Sequence, residues 1–346
     1  MIHMKKLFAL LLTFSVMMTG AGALAGTFTD SCGREFALDD EITRVAVSGP
    51  YAQIVLFALA PDLLVGLSGA WDEADIPFVG EYAELPVLGQ LYGGKGSMNL
   101  EQIAALAPQI VLDVGETSQE TGKELDALTE QLGIPFVHVG MDLDSAAEGF
   151  EMLGELLGRQ EQAAALAAYC RDTLAQIDAL MARVGDDRVR FLYCLGEEGL
   201  SVVAKGSYHA QMIDRLTDNV AVFDNPSSRG TGNAIDMEQM LLLNPDAIVF
   251  APGGFGKEAA EDPVWQAISA VEQGRYATVP DAPYNWMGYP PSVQRYMGMQ
   301  YLAHLLYPQH CEGSLQEAAE EYYRLFYHCE LTQEMYDALM AGALFR

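Results

Sequence analysis

The side chains of this chain best suited to holding a ligand are aromatic or basic and sit in short connections. Tyr51, Trp71, Tyr92, Tyr208, Trp286 and Tyr289 stand among Gly, Pro, Ser and Asp residues where regular structure gives way to loops. Rings in such places make flat walls for a macrocycle or catecholate and leave polar tips for hydrogen bonds, although each ring serves equally well as core. Arg229 lies in S-S-R-G-T-G-N and Lys95 in G-G-K-G-S, among small residues that expose backbone N–H groups. Either pairs with an anion, Arg through a bidentate fork. Arg295 follows Pro290-Pro291 on a helix and reaches either the floor of a cleft or a surface ion pair. His209, beside Tyr208, is the side chain suited to direct metal contact, with a structural histidine as the plainer reading. These residues point to non-covalent capture rather than bond breaking. No G-x-S-x-G, H-E-x-x-H or C-x-x-C occurs, so a nucleophile elbow, a zincin site and thioredoxin-type chemistry lack support.

Two segments imitate nucleotide loops. Gly89–Gly96 reads G-Q-L-Y-G-G-K-G, with Gly96 where Ser or Thr should hold magnesium, and Gly254–Ala259 reads G-F-G-K-E-A. Each is weak evidence in a chain with 33 glycines.

The elements that must carry these residues alternate. Strands are expected at 45–48, 64–67, 110–114, 136–139, 189–195, 201–204 and 247–250, with helices at 51–60, 120–132, 145–157 and 208–216, after a short hairpin at 27–38. Such alternation indicates α/β lobes with mostly parallel sheets. Residues 160–184 run without Gly or Pro, a helix of about 37 Å that spans from one lobe to the next. Helices at 292–306, 314–327 and 332–340 close the chain. Residues 26–143 are expected to form the first lobe, 144–185 a helical segment, and 186–346 the second lobe with the C-terminal helices.

One pattern occurs twice. M-N-L-E-Q-I-A-A-L-A-P-Q-I-V-L at 98–112 aligns without a gap with I-D-M-E-Q-M-L-L-L-N-P-D-A-I-V at 235–249. Each copy reads as a cap (Asn99, Asp236), a short amphipathic helix, a Pro that stops it, and a buried strand. A unit built twice, far apart, implies two similar lobes with a ligand cleft between them.

Composition narrows the class. The 346 residues suffice for two cores. Residues 1–25 combine Lys5-Lys6, an apolar run from Leu7 to Met18 and A-L-A at 23–25, the layout of a cleaved secretory signal too short for a confident membrane span. The first cysteine is Cys32, so release into the periplasm is expected over lipid anchoring. The net charge is −29, and −31 once Lys5 and Lys6 are removed, which repels nucleic acid and anionic lipid. In an oxidising compartment Cys311 and Cys329 either pair across the C-terminal helices or remain separate buried thiols.

With these segments in order, the chain resembles the periplasmic substrate-binding proteins of ABC importers, in the class with a rigid interlobe helix. D-S-C-G-R-E-F-A-L-D-D-E-I-T-R-V-A-V-S-G-P resembles that family's opening, the two repeats resemble its paired N-L-E-x-I-x-x-L-x-P-D elements, and P-Y-N-W-M-G-Y-P-P-S-V-Q-R-Y-M-G-M-Q-Y-L-A-H-L-L-Y-P resembles its cleft loop and following helix. The resemblance covers essentially all of the chain after residue 25. It implies a receptor, not an enzyme. It also implies that Glu101 and Glu238 project from the lobe tips to meet basic groups of a permease dimer that works with an ATPase, and that Tyr92 and Trp286 face the cleft. The expected cargo is a metal chelate (ferric siderophore, haem or corrinoid), taken up by a monomer with no cofactor of its own. A molybdate- or tungstate-type oxyanion or a nickel chelate fits the same fold. A transporter-independent sensor and a periplasmic enzyme are the readings from other classes.

Overall fold

The computed structural model describes residues 27–39, 41–92, 98–228 and 230–346. The expected signal segment 1–25, Lys95 and Arg229 lie outside the described residues. A hairpin of β1 (Thr27–Thr29) and β2 (Glu35–Ala37) opens the first lobe. There follow β3 (Val45–Val47), α1 (Pro50–Leu59), α2 (Ile76–Val79), α3 (Leu100–Leu106), β4 (Ile110–Gly115), α4 (Gln119–Leu132), β5 (Phe136–Gly140) and α5 (Ala146–Leu157). The three strands β3–β5 form a parallel sheet in that order. Residues 64–67, expected as a strand, make only isolated bridges, Val45 to Leu64 and Leu67 to Val87. Pro61 before them and Pro86 opposite cannot donate to a longer ladder.

Helix α6 (Gln160–Val184) then crosses to the second lobe. It lies close against α5 because Gly154 has no side chain: a Cβ there would sit 2.4 Å from that of Ala163. The second lobe contains β6 (Arg190–Leu195), β7 (Ser201–Val202), α7 (Gln211–Leu216), β8 (Asp218–Asn219), β9 (Asn233–Ala234), α8 (Met237–Leu243), β10 (Ala247–Phe250), α9 (Ser269–Glu272) and β11 (Tyr276–Thr278). Its sheet runs β11-β10-β6-β7-β9, with β8 also beside β6. The β6, β8, β10 and β11 pairings are parallel, whereas β7 and β9 add antiparallel edges. The chain ends in α10 (Gln294–Leu306), α11 (Leu315–Phe326) and α12 (Gln333–Leu339).

The fold is therefore two α/β lobes joined by one long helix. Both sheets are covered on both faces, as parallel sheets require. Along β6, Phe191, Tyr193 and Leu195 enter one buried cluster while Leu192 and Cys194 enter another. The larger cluster is continuous from Val47 and Phe150 through Leu166 and Ile177 of α6 to Val249 and Met297. The C-terminal helices cover both lobes rather than the second alone: Tyr323 packs on Phe78 (ring centroids 5.0 Å apart), Phe326 on Phe150 (6.2 Å) and Tyr327 on Phe57 (6.0 Å). The physical reason is that α1, apolar all round except for the hydrogen-bonded Gln53, is buried from Ala52 to Leu59 and needs a second cover. All five cysteines are free; the Cys311 thiol sits near the Tyr307 carbonyl and that of Cys329 near the Tyr323 carbonyl. Among the described residues no helix is long and apolar enough to cross a membrane.

The repeat is preserved in three dimensions. Helices α3 and α8 each have 7 residues. Asn99 accepts from the Gln102 N–H and Asp236 from the Gln239 N–H. Both helices end on a left-handed residue, Ala107 (φ 46°) and Asn244 (φ 36°).

Candidate ligand-binding cleft

Strands β3, β4 and β5 all point their C-terminal ends at the second lobe, where ligands of parallel sheets are held. Two adjoining hollows open there, of about 410 and 420 Å³, sharing Glu116 and Tyr208. The first is walled by Glu116, Thr117, Asp142 and Ser145, and by Tyr208 and Gln211 of the second lobe. The other is walled by Ser48, Tyr51, Tyr92, Ser228 and Pro290-Pro291. Together they fall within the ordinary size of a small-molecule site.

Arg295 lies just behind the wall, against Tyr208 and Gln211. It is 1% exposed, makes no ion pair among the described residues, and donates instead to Gln211 Oε1 (2.7 Å) and the Ser292 carbonyl (3.1 Å). Its guanidinium lies over the Tyr208 ring at 5.4 Å. Burial raises the pKa of the Tyr51 phenol, against the pull of Arg295, and the Tyr208 phenol is raised for the same reason. Both hydroxyls therefore remain protonated donors. Gly288 (φ +83°) makes room for this arginine, since a Cβ there would lie 2.6 Å from Arg295 Cγ.

His209 is buried and stacked on Tyr289 at 4.8 Å. Burial first, and Arg295 second, lower its pKa and keep the imidazole neutral. Its Nδ1 and the Tyr289 hydroxyl are buried with no hydrogen-bond partner among the described residues. No group of three or more His, Cys, Asp or Glu side chains is placed to hold a metal ion among the described residues.

Five expected cleft residues do not line the hollows: Arg295, His209 and Tyr289 lie behind the wall, and Trp71 and Trp286 lie in the core. Trp286 is fully buried, packs on Tyr301 (5.8 Å) and donates from Nε1 to the Tyr323 hydroxyl (3.2 Å). Trp71 packs edge-on to Phe57 (5.2 Å) and reaches Tyr284 (6.5 Å) in the same core. Burying so large a ring outweighs leaving it in an open cleft, and Trp286 also finds a partner for its N–H. Tyr51, Tyr92 and Tyr208 do reach the cleft.

Sequence reasoning missed the loop after β5, which brings Asp142 and Ser145 into the wall. Asp142 accepts from the Ser145 hydroxyl (2.8 Å) and from the Asp144 and Ser145 amides (2.9 Å each). Burial works against its ionisation, but these hydrogen bonds and Arg295 win and lower its pKa. Also missed was a buried network beneath the wall. Ser48 donates to Asp113; Asp113 Oδ2 lies 2.6 Å from His138 Nδ1; His138 Nε2 lies 3.1 Å from Thr117 Oγ1. The signal was two polar residues in apolar strands, Asp113 in β4 and His138 in β5, paired in register.

The profile of the periplasmic binding protein family matches residues 70–283. The chain belongs to that family. It is 24% identical over 304 residues to the uncharacterized ABC transporter substrate-binding lipoprotein YvrC of Bacillus subtilis, covering 80% of this chain and 91% of that one. A structure of an ABC transporter solute-binding protein from Sulfurospirillum deleyianum superposes with a TM-score of 0.82 at 26% identity, over 91% of this chain and 99% of that one. MolA of Haemophilus influenzae, bound to molybdate, superposes with a TM-score of 0.69 at 21% identity, over 89% and 99%. Members of this periplasmic binding protein family bind solutes for ABC transporters.

Proposed function

We propose that this chain is an exported receptor that captures an anionic metal chelate between its lobes and delivers it to an ABC permease. The observation that carries the reading is Arg295: a buried guanidinium just behind the cleft wall, in no ion pair among the described residues, beside Tyr51, Tyr208 and Gln211. A buried charge without a close partner is costly; Asp142 acts on Arg295 only from beyond ion-pair distance, and an anionic cargo group would supply a closer partner. Two joined hollows of about 410 and 420 Å³ with tyrosine walls suit a chelate of some size. The oxyanion reading is favoured by the donor set alone, Arg295 with neighbouring hydroxyls. Lys95 and Arg229 belong to the proposed anion-binding set, and Tyr289 and His209 to its aromatic flank. Glu101 and Glu238, exposed on matching helices, are the proposed docking acids. Charge complementarity at two separated points sets orientation and speeds encounter.

A thermal-shift screen of the purified mature protein tests the cargo, with ferric siderophores, haem, cobalamin, nickel chelates, molybdate and tungstate. A ligand at ~100 times its Kd adds about 2.7 kcal/mol to stability. A selective rise with one chelate class supports the reading and names the cargo; a rise with molybdate or tungstate alone replaces the chelate by an oxyanion. A flat panel on folded, ligand-free protein overturns both.

A further inference from the structure

The two docking helices match in backbone, cap and acid, but not in what surrounds the acid. Aligned on Glu101 and Glu238, Ala104 and Ala105 of α3 correspond to Leu241 and Leu242 of α8. All four are exposed, and Leu242, at 78%, is the most exposed large apolar side chain among the described residues, with Leu241 at 39%. Residues three and four apart share a helix face, so both leucines stand on the face of Glu238, one turn along. The corresponding face of α3 carries only methyl groups.

Resting on the reading of Glu101 and Glu238 as docking acids, we infer that the two lobes dock unequally: Leu241 and Leu242 enter an apolar socket of the permease beside the basic group that receives Glu238, while the Glu101 contact is electrostatic alone. Exposed leucines need a reason when they sit together beside a charge meant for a partner. A protein interface with an apolar centre and a polar rim is such a reason. The permease is favoured over a lipid surface because this chain carries a net charge of −29, which opposes approach to anionic headgroups. It is favoured over a second copy because two Glu238 carboxylates would meet in a symmetric contact. The acid steers; the leucines hold. Loss of the leucines should therefore act on dissociation and loss of the acids on association.

The test measures binding of the mature, cargo-free protein to its permease–ATPase complex in nanodiscs, with empty nanodiscs as control. Leu241→Ala/Leu242→Ala should weaken binding about tenfold, mainly through faster dissociation. Ala104→Ser/Ala105→Ser should leave it unchanged. If the leucine variant binds as wild type while Glu238→Ala binds weakly, the inference falls and the docking acids stand. If Glu101→Ala/Glu238→Ala also binds as wild type, the docking reading itself falls. Leucine-dependent binding to empty nanodiscs, or a leucine-dependent dimer in size-exclusion chromatography, overturns the inference in favour of lipid or a second copy.

Discussion

Arg295 stacks behind Tyr208 of the cleft wall, guanidinium to ring centroid 5.4 Å, with the arginine 1% exposed and in no ion pair among the described residues. A site that serves stability alone would not keep such a charge. Arg295→Met should melt at the same temperature as wild type or higher, because a buried charge replaced by an apolar side chain of similar volume is often neutral or stabilising. The same variant should lose at least about tenfold in affinity for an anionic cargo. Calorimetric melting beside titration with the cargo found in the screen checks both signs. Loss of stability without loss of affinity would make Arg295 structural.

Gly288 is the second lever on that arginine. It combines φ +83° with a Cβ position 2.6 Å from Arg295 Cγ. Gly288→Ala should cost more than about 1 kcal/mol in urea unfolding, since alanine resists positive φ and collides with the stem. It should also weaken cargo binding although residue 288 carries no ligand group of its own.

Asp113 and His138 are 2% and 1% exposed at 2.6 Å, with Ser48 and Thr117 closing the chain to the cleft surface. Asp113→Ala strands the Ser48 hydroxyl and one ring nitrogen. Each unsatisfied buried group costs about 1–3 kcal/mol, so a loss of about 3 kcal/mol is expected. Equilibrium urea unfolding measures it. A value near zero would mean that water enters the vacated space and replaces the carboxylate.

Asp75 gives a pH signature. Burial raises its pKa to about 6, assisted by repulsion from Asp72 and Asp281 and opposed by the Asp72 backbone N–H. Burial likewise raises Asp281. In the unfolded chain an aspartate titrates near 3.9. Between about pH 4 and 6 the native state thus binds more protons than the unfolded state, and stability from this group falls as pH rises. Asp75→Asn should flatten the stability curve in that window by about 2 kcal/mol and raise stability at pH 7. Denaturation of both proteins at pH 4, 5, 6 and 7 decides it.

The fold was largely legible because its signals are local or repeated. The 160–184 helix was readable from an unbroken run bounded by Gly158 and Gly185, and the structure has it at Gln160–Val184. The doubled cap–helix–Pro–strand unit announced two lobes, and α3 and α8 reproduce each other down to the left-handed residue that ends them. The cleft was less legible, because which side of a loop faces a ligand is a tertiary matter. Trp286 occupies a cleft-like loop yet turns into the core to meet Tyr323. Asp142 and Gln211 bear no local mark. They share a wall only because β5 and α7, far apart in sequence, are brought across one gap. Asp113 and His138 stood in plain view as polar residues in apolar strands, but their partnership depends on strand register.

The packing of α11 on α1 has a consequence for how the chain is made. Phe57, Phe78 and Phe150 of the first lobe are covered by Tyr323, Phe326 and Tyr327. The first lobe therefore lacks part of its lid until nearly the last residues arrive. While the chain is still being synthesised, its leading half exposes those rings. A truncation before Leu315 would leave those rings uncovered, so a first lobe made without its C-terminal cover should aggregate or be cleaved more readily than the whole chain.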